Sequence, residues 1–184
     1  MKIAFLQDDE EIIQKTLDDL KKYKIEKKEA DIGGGADLWV IILVLTTTIF
    51  FSGKKINENL NAWIEIGDKL ISLFKKKKKP QSIDKEASIA LAVSIINNKT
   101  KIKNIDLVHS QELSQKPNNS KGFNLEFSPY NYYILVFSIN DIEQFIFCIK
   151  SNGEVRFKDY FENSEWNFKY DWQSFTDRED YTSK

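Results

Sequence analysis

Residues 144–160 read QFIFCIKSNGEVRFKDY, two apolar runs separated by Asn152-Gly153. An Asn-Gly pair between such runs is the strongest short-range hairpin signal, because a type I′ turn needs positive φ at both central positions. A two-residue loop would pair Ser151 with Glu154, Lys150 with Val155, Cys148 with Phe157 and Ile146 with Asp159. Cross-strand partners share a face. One face then carries Ile146, Cys148, Val155 and Phe157. The other sets Phe145, Phe147 and Ile149 opposite Arg156, Lys158 and Tyr160. The first is more purely apolar beside the turn, so it is expected to face the core and to bury Cys148.

Working outward, alternation after Lys101 predicts strands at Ile105–His109, Phe123–Phe127, Tyr132–Ile139, Gln144–Lys150 and Glu154–Tyr160. Gln115–Gly122, QKPNNSKG, is a polar loop, and Asn140-Asp141 is a weaker second turn signal. Tyr132–Ile139 is apolar except for Ser138 and suits a central strand. Glu154–Tyr160 alternates with charge and suits a position nearer an edge.

Before Lys101 the period is helical. Ile12, Ile13, Leu17, Leu20 and Tyr23 predict a helix over 8–23, with acids in its first turn where the dipole favours them. Gly33-Gly34-Gly35 breaks the chain. Ile56, Leu60, Trp63, Ile64, Leu70, Ile71 and Phe74 form one stripe of a helix over 55–78, which closes in Lys75–Lys79 before Pro80. Gly67 falls on that stripe and suggests close approach of another backbone. A third helix, Asp84–Asn97, is capped by Asp84 and apolar almost all round, which suits the centre of a core.

Leu38–Phe51, LWVIILVLTTTIFF, carries no charge over 14 residues. A membrane helix needs about 20. The segment therefore reads as a buried helix or strand. The alternative is membrane contact through Trp39, Phe50, Phe51 and Trp63, with Lys75, Lys76 and Lys77 at anionic headgroups.

The expected fold is thus one α+β domain over 1–184, with about three N-terminal helices packed on a C-terminal antiparallel meander of four to five strands. Residues 1–100 are mainly helical with the apolar segment 38–51, residues 101–161 form the sheet, and 162–184 are an acidic-aromatic tail.

Chemistry is sparse. The one Cys, Cys148, permits no intrachain disulfide, which suits a reducing compartment. The start of the chain lacks the long apolar stretch of a signal peptide, so a cytoplasmic location is expected, or the inner face of a membrane. One His, His109, and one Cys cannot supply a zinc site. No phosphate-binding fingerprint follows a strand, so no cofactor is expected. With 27 basic and 28 acidic residues no overall field draws the chain to nucleic acid.

What stands out is the tail. Trp166, Phe168, Tyr170 and Trp172 alternate among acids, as binding aromatics steered toward a basic protein partner would. The expectation is a non-enzymatic protein-interaction module. Lys-, Asn- and Ile-rich usage together with size suits a bacterial immunity protein, antitoxin or defence-system accessory. The alternatives are a membrane-associated protein using 38–78, and an enzyme with an unrecognised site.

Overall fold

A computed structural model describes residues 1–7, 9–31, 39–45, 56–75, 82–113 and 131–162. The chain is α+β, as its sequence predicts. Among the described residues three α-helices occur in the first hundred, α1 (Glu10–Asp19), α2 (Leu60–Phe74) and α3 (Lys85–Asn97). Two antiparallel sheets flank them. Among the described residues each sheet has four strands.

The second sheet is the expected meander, β5 (Ile105–Leu113), β6 (Tyr132–Ile139), β7 (Glu143–Lys150) and β8 (Val155–Glu162), paired in chain order. Among the described residues β6 is central and β8 outermost, the places the sequence suggests. The expected strand Phe123–Phe127 and loop 115–122 lie outside the described residues.

The decisive hairpin differs from expectation in two ways. Gly153 has φ +79°, but Asn152 is not at positive φ. The amide of Gly153 donates to the carbonyl of Lys150 at 2.8 Å, and the amide of Lys150 to the carbonyl of Glu154 at 2.8 Å. The loop therefore has three residues, Ser151 to Gly153, rather than two, and pairs Ile149 with Val155. A bulge at Arg156 then absorbs one residue and returns the register to Cys148–Phe157 and Ile146–Asp159, the pairs the sequence specifies. The weaker signal is the turn with the primed geometry. Asn140 (φ 53°) and Asp141 (φ 60°) are both left-handed, and the amide of Ile142 donates to the carbonyl of Ile139 at 3.1 Å.

The core face is also the reverse of the expected one. Phe145, Phe147 and Ile149 are buried with Tyr133, Leu135, Phe137 and Ile139, while Cys148 and Ile146 are only half-buried on the outer face. Counting charges near the turn misleads, because the charged side chains of β8, Arg156 and Lys158, are exposed. Two phenylalanines and an isoleucine remove far more apolar area from water than one isoleucine and a thiol, and that term decides the orientation.

The first sheet is not anticipated by periodicity. It has the order β2-β3-β1-β4, formed by β1 (Lys2–Leu6), β2 (Ile25–Asp31), β3 (Trp39–Leu45) and β4 (Ser82–Ile83). The apolar segment is a strand over its described part, and β3 pairs with β1 on one side and β2 on the other. Ile41, Leu43 and Leu45 enter the core, and Ile42 and Val44 are buried as well. β2, IEKKEAD, has poor strand propensity; its partner β3 imposes the conformation.

One hydrophobic cluster joins the helices to both sheets. Ala87, Ser88, Ile89, Ala90, Leu91, Ala92, Val93, Ser94 and Ile96 of α3 are all buried, and α3 touches β1, β6 and β7. Asp84 caps it, accepting from the amide of Ala87 at 2.9 Å. At Gly67 of α2, a Cβ would lie 2.1 Å from the carbonyl oxygen of Ala90, so only glycine permits the α2–α3 approach. β4 ties the sheets together. It pairs with β1, its Ile83 amide donates to the Ser151 carbonyl at 2.7 Å, and its Ile83 carbonyl accepts from the Tyr133 hydroxyl at 2.9 Å.

Candidate functional site

A groove of about 560 Å³ runs between the C-terminal ends of α2 and α3 and the β7–β8 pair. Ile71 and Lys75 come from the end of α2, and Ile95, Asn98 and Lys99 from the end of α3. Phe145 and Phe147 form its apolar floor, and Lys158, Asp159 and Tyr160 of β8 form the far wall. Its origin lies in the register of the edge strand. Lys158 pairs with Phe147 on the core face and its side chain reaches solvent, and among the described residues no helix lies over that end of the sheet.

Aromatic stacking fixes the position of one wall cation. The Lys99 ammonium sits 3.6 Å from the centroid of the Tyr160 ring and 5.2 Å from that of Phe145. The two rings are 4.9 Å apart and tilted by 48°. The Tyr160 hydroxyl in turn donates to a Glu143 carboxylate oxygen at 3.2 Å, which holds the ring in place. Lys75, Lys99 and Lys158 are all exposed. Lys75 and Lys99 also complement the negative ends of α2 and α3. Among its described lining residues one acid, Asp159, opposes three lysines, a cationic rim over an apolar floor. Such a surface accepts an aromatic or aliphatic group flanked by carboxylates.

The other reactive groups do not converge. His109 of β5 lies in the cross-strand row of Val136 and Ile146, whereas Cys148 lies in the row of Gln111 and Ile134. The two are two strands apart, about 10 Å by sheet spacing, too far for a thiol–imidazole pair. Burial also pushes the Cys148 thiol up, away from the reactive thiolate. No group of three or more metal-binding side chains occurs among the described residues.

A second titratable cluster surrounds β4. Burial raises Asp84 to about 7, with the Met1 ammonium 3.9 Å away opposing the rise. Burial, with Glu112 nearby, also raises the Tyr133 phenol. These groups brace the junction of the sheets.

The residues singled out by sequence are scattered. Trp166, Phe168, Tyr170, Trp172, Phe50, Phe51, Lys76 and Lys77 lie outside the described residues, as does the side chain of Trp39. Trp63 is buried in the core at 2% exposure and is not available to lipid. Lys75 lies on the rim of the groove. No described helix is long and apolar enough to cross a membrane. Sequence reasoning passed over Lys99, Lys158 and Tyr160. The available signal was a lysine and a tyrosine sharing a face with Phe145 and Phe147.

Comparison with protein-family models, with curated proteins and with solved structures finds no match.

Proposed function

We propose that the protein is a non-enzymatic interaction module whose α2–α3–β7–β8 groove receives an acidic, aromatic-bearing segment of another protein. The observation that carries this reading is the combination of an apolar floor, Phe145 and Phe147, with the lysines 75, 99 and 158 around it. Catalysis would need convergent acid–base or nucleophilic groups, and the described lining of the groove offers lysines, one aspartate, one asparagine and one tyrosine. In this reading the module is a bacterial immunity protein, antitoxin or defence-system accessory subunit, which the Lys-, Asn- and Ile-rich usage and the size suggest.

The test is cross-linking to lysine in a host extract with the full chain, followed by mapping of the joined peptides. Lys75, Lys99 and Lys158 should join to an acidic stretch of one partner. The Lys75→Glu/Lys99→Glu/Lys158→Glu variant should lose capture of that partner by 100-fold or more, as expected when close charge pairs become repulsive (about 3 kcal/mol), with its melting temperature held within a few degrees. Capture unchanged in that variant, or partner cross-links confined to other surfaces, would overturn the reading. So would loss of the variant's binding to vesicles of anionic lipid with no protein partner captured by either form.

A further inference from the structure

We propose that Asn152 is a self-modifying site: its side chain cyclises onto the main chain only in molecules whose β7–β8 turn has come away from β4 and α2, and one of the two products cannot redock. The chemistry lies in the Asn-Gly pair. The side-chain carbonyl carbon of an asparagine is open to attack by the next backbone nitrogen, most of all when that residue is glycine and has no Cβ in the way. The Gly153 nitrogen bonds to Asn152 Cγ and gives up its proton, and the side-chain nitrogen leaves with that proton as ammonia. Water then opens the five-membered imide at either carbonyl. One opening gives aspartate. The other gives isoaspartate, whose main chain runs through the former side chain and is longer by one methylene.

The closed turn holds this reaction back, because the attacking group is already engaged. The Gly153 amide donates to the Lys150 carbonyl at 2.8 Å, and Asn152 Oδ1 accepts from the Glu154 amide at 3.1 Å. Ring closure needs the first bond broken and the Asn152 side chain brought onto the Gly153 nitrogen. The turn is docked on three sides against such movement. The Ser151 carbonyl accepts from the Ile83 amide of β4 at 2.7 Å, the Ser151 amide donates to the Asn131 carbonyl at 2.8 Å, and Gly153 lies against the Phe74 ring of α2. The aspartate product keeps an oxygen for the Glu154 amide and can redock. The isoaspartate product displaces Gly153 from Ser151 by the added methylene, so the contacts with Phe74 and Lys150 and those with β4 cannot all be made together. The mark is therefore set while the junction is open and afterwards keeps it loose.

The rate is read from tryptic peptide 151–156, SNGEVR, of the full chain held at neutral pH, folded and in urea, with its asparagine, aspartate and isoaspartate forms separated by chromatography. The folded chain should react at least about 10-fold more slowly than the unfolded one. Tyr133→Phe deletes the 2.9 Å hydroxyl bond to the Ile83 carbonyl and leaves the turn untouched. It should raise the folded rate about 5-fold and leave the rate in urea unchanged. Urea below the unfolding transition should raise the wild-type rate too, which keeps the dependence testable should Tyr133→Phe not fold. Equal rates in the folded and unfolded chains, or a folded rate that neither change moves, would overturn the dependence on opening. Among aged wild-type molecules those carrying isoaspartate should melt well below the rest, whereas Asn152→Asp should melt within a few degrees of wild type. Isoaspartate chains that melt with the unmodified ones would overturn the failure to redock.

Discussion

The first sheet pairs β1 with strands far along the chain, whereas the second follows chain order throughout. β1 pairs with β3 some 40 residues away and with β4 about twice as far, giving the order β2-β3-β1-β4. β5 to β8 are joined as neighbours, the last two steps through short turns. The difference shows where each sheet gets its specification. In the second, turn chemistry fixes pairing locally and packing only chooses the face. In the first, no turn signal brings β1 to β3, and the pairing is chosen by burial of Ile3, Phe5, Leu43 and Ile83 in the common core.

The largest expected effect concerns the face of the second sheet. Phe147→Ala removes a buried ring at 1% exposure and should cost about 3–5 kcal/mol, while Cys148→Ala next to it should cost less than about 1 kcal/mol. Urea midpoints of the two variants measure the contrast. Equal losses would break the assignment of faces and with it the origin of the groove.

An intermediate effect separates the two turns. A Cβ at Gly153 would adopt φ +79° and meet the ring of Phe74 at 2.2 Å. Gly153→Val should therefore cost at least about 1–3 kcal/mol in thermal unfolding. Asp141→Gly, at φ 60°, should be neutral or stabilise by up to about 1 kcal/mol. If Gly153→Val were tolerated and Asp141→Gly damaging, the roles of the two turns would be exchanged.

How much of this was legible follows from the same physics. Helices α2 and α3, the Asp84 cap, the close approach at Gly67 and four of the meander strands all rest on local periodicity or local geometry, and each stands in the sequence. The Asn152-Gly153 signal located the hairpin but not its loop length, because Gly at a single left-handed position serves a three-residue loop equally well. The register survived only because the extra loop residue is cancelled by the bulge at Arg156. β2 was illegible, since a lysine- and glutamate-rich run becomes a strand only when β3 is beside it. Of the groove, Lys75 was visible as the start of a lysine run. Lys158 and Tyr160 were visible only as sharing a face with Phe145 and Phe147, and Lys99 was not, because its approach depends on how the end of α3 meets β8.

A titration tests the junction between the sheets. The folded Asp84 carboxyl titrates near 7 rather than 3.8, so the native state holds a proton that the unfolded chain releases. Its contribution to stability is fully present below about pH 3.8 and is lost as the pH rises through about 7. The urea midpoint should carry a downward slope across that window. Asp84→Asn, which can still cap α3, should flatten the slope. A slope unchanged in the variant would assign it to another group.

β4 is only two residues long, yet it sets the scale of cooperativity. Its Ile83 amide is held by Ser151 at the tip of the second sheet while its backbone is paired to β1 in the first. Amide exchange at Ile83 therefore requires the two sheets to part, so this one proton reports opening of the whole molecule rather than fraying of either half.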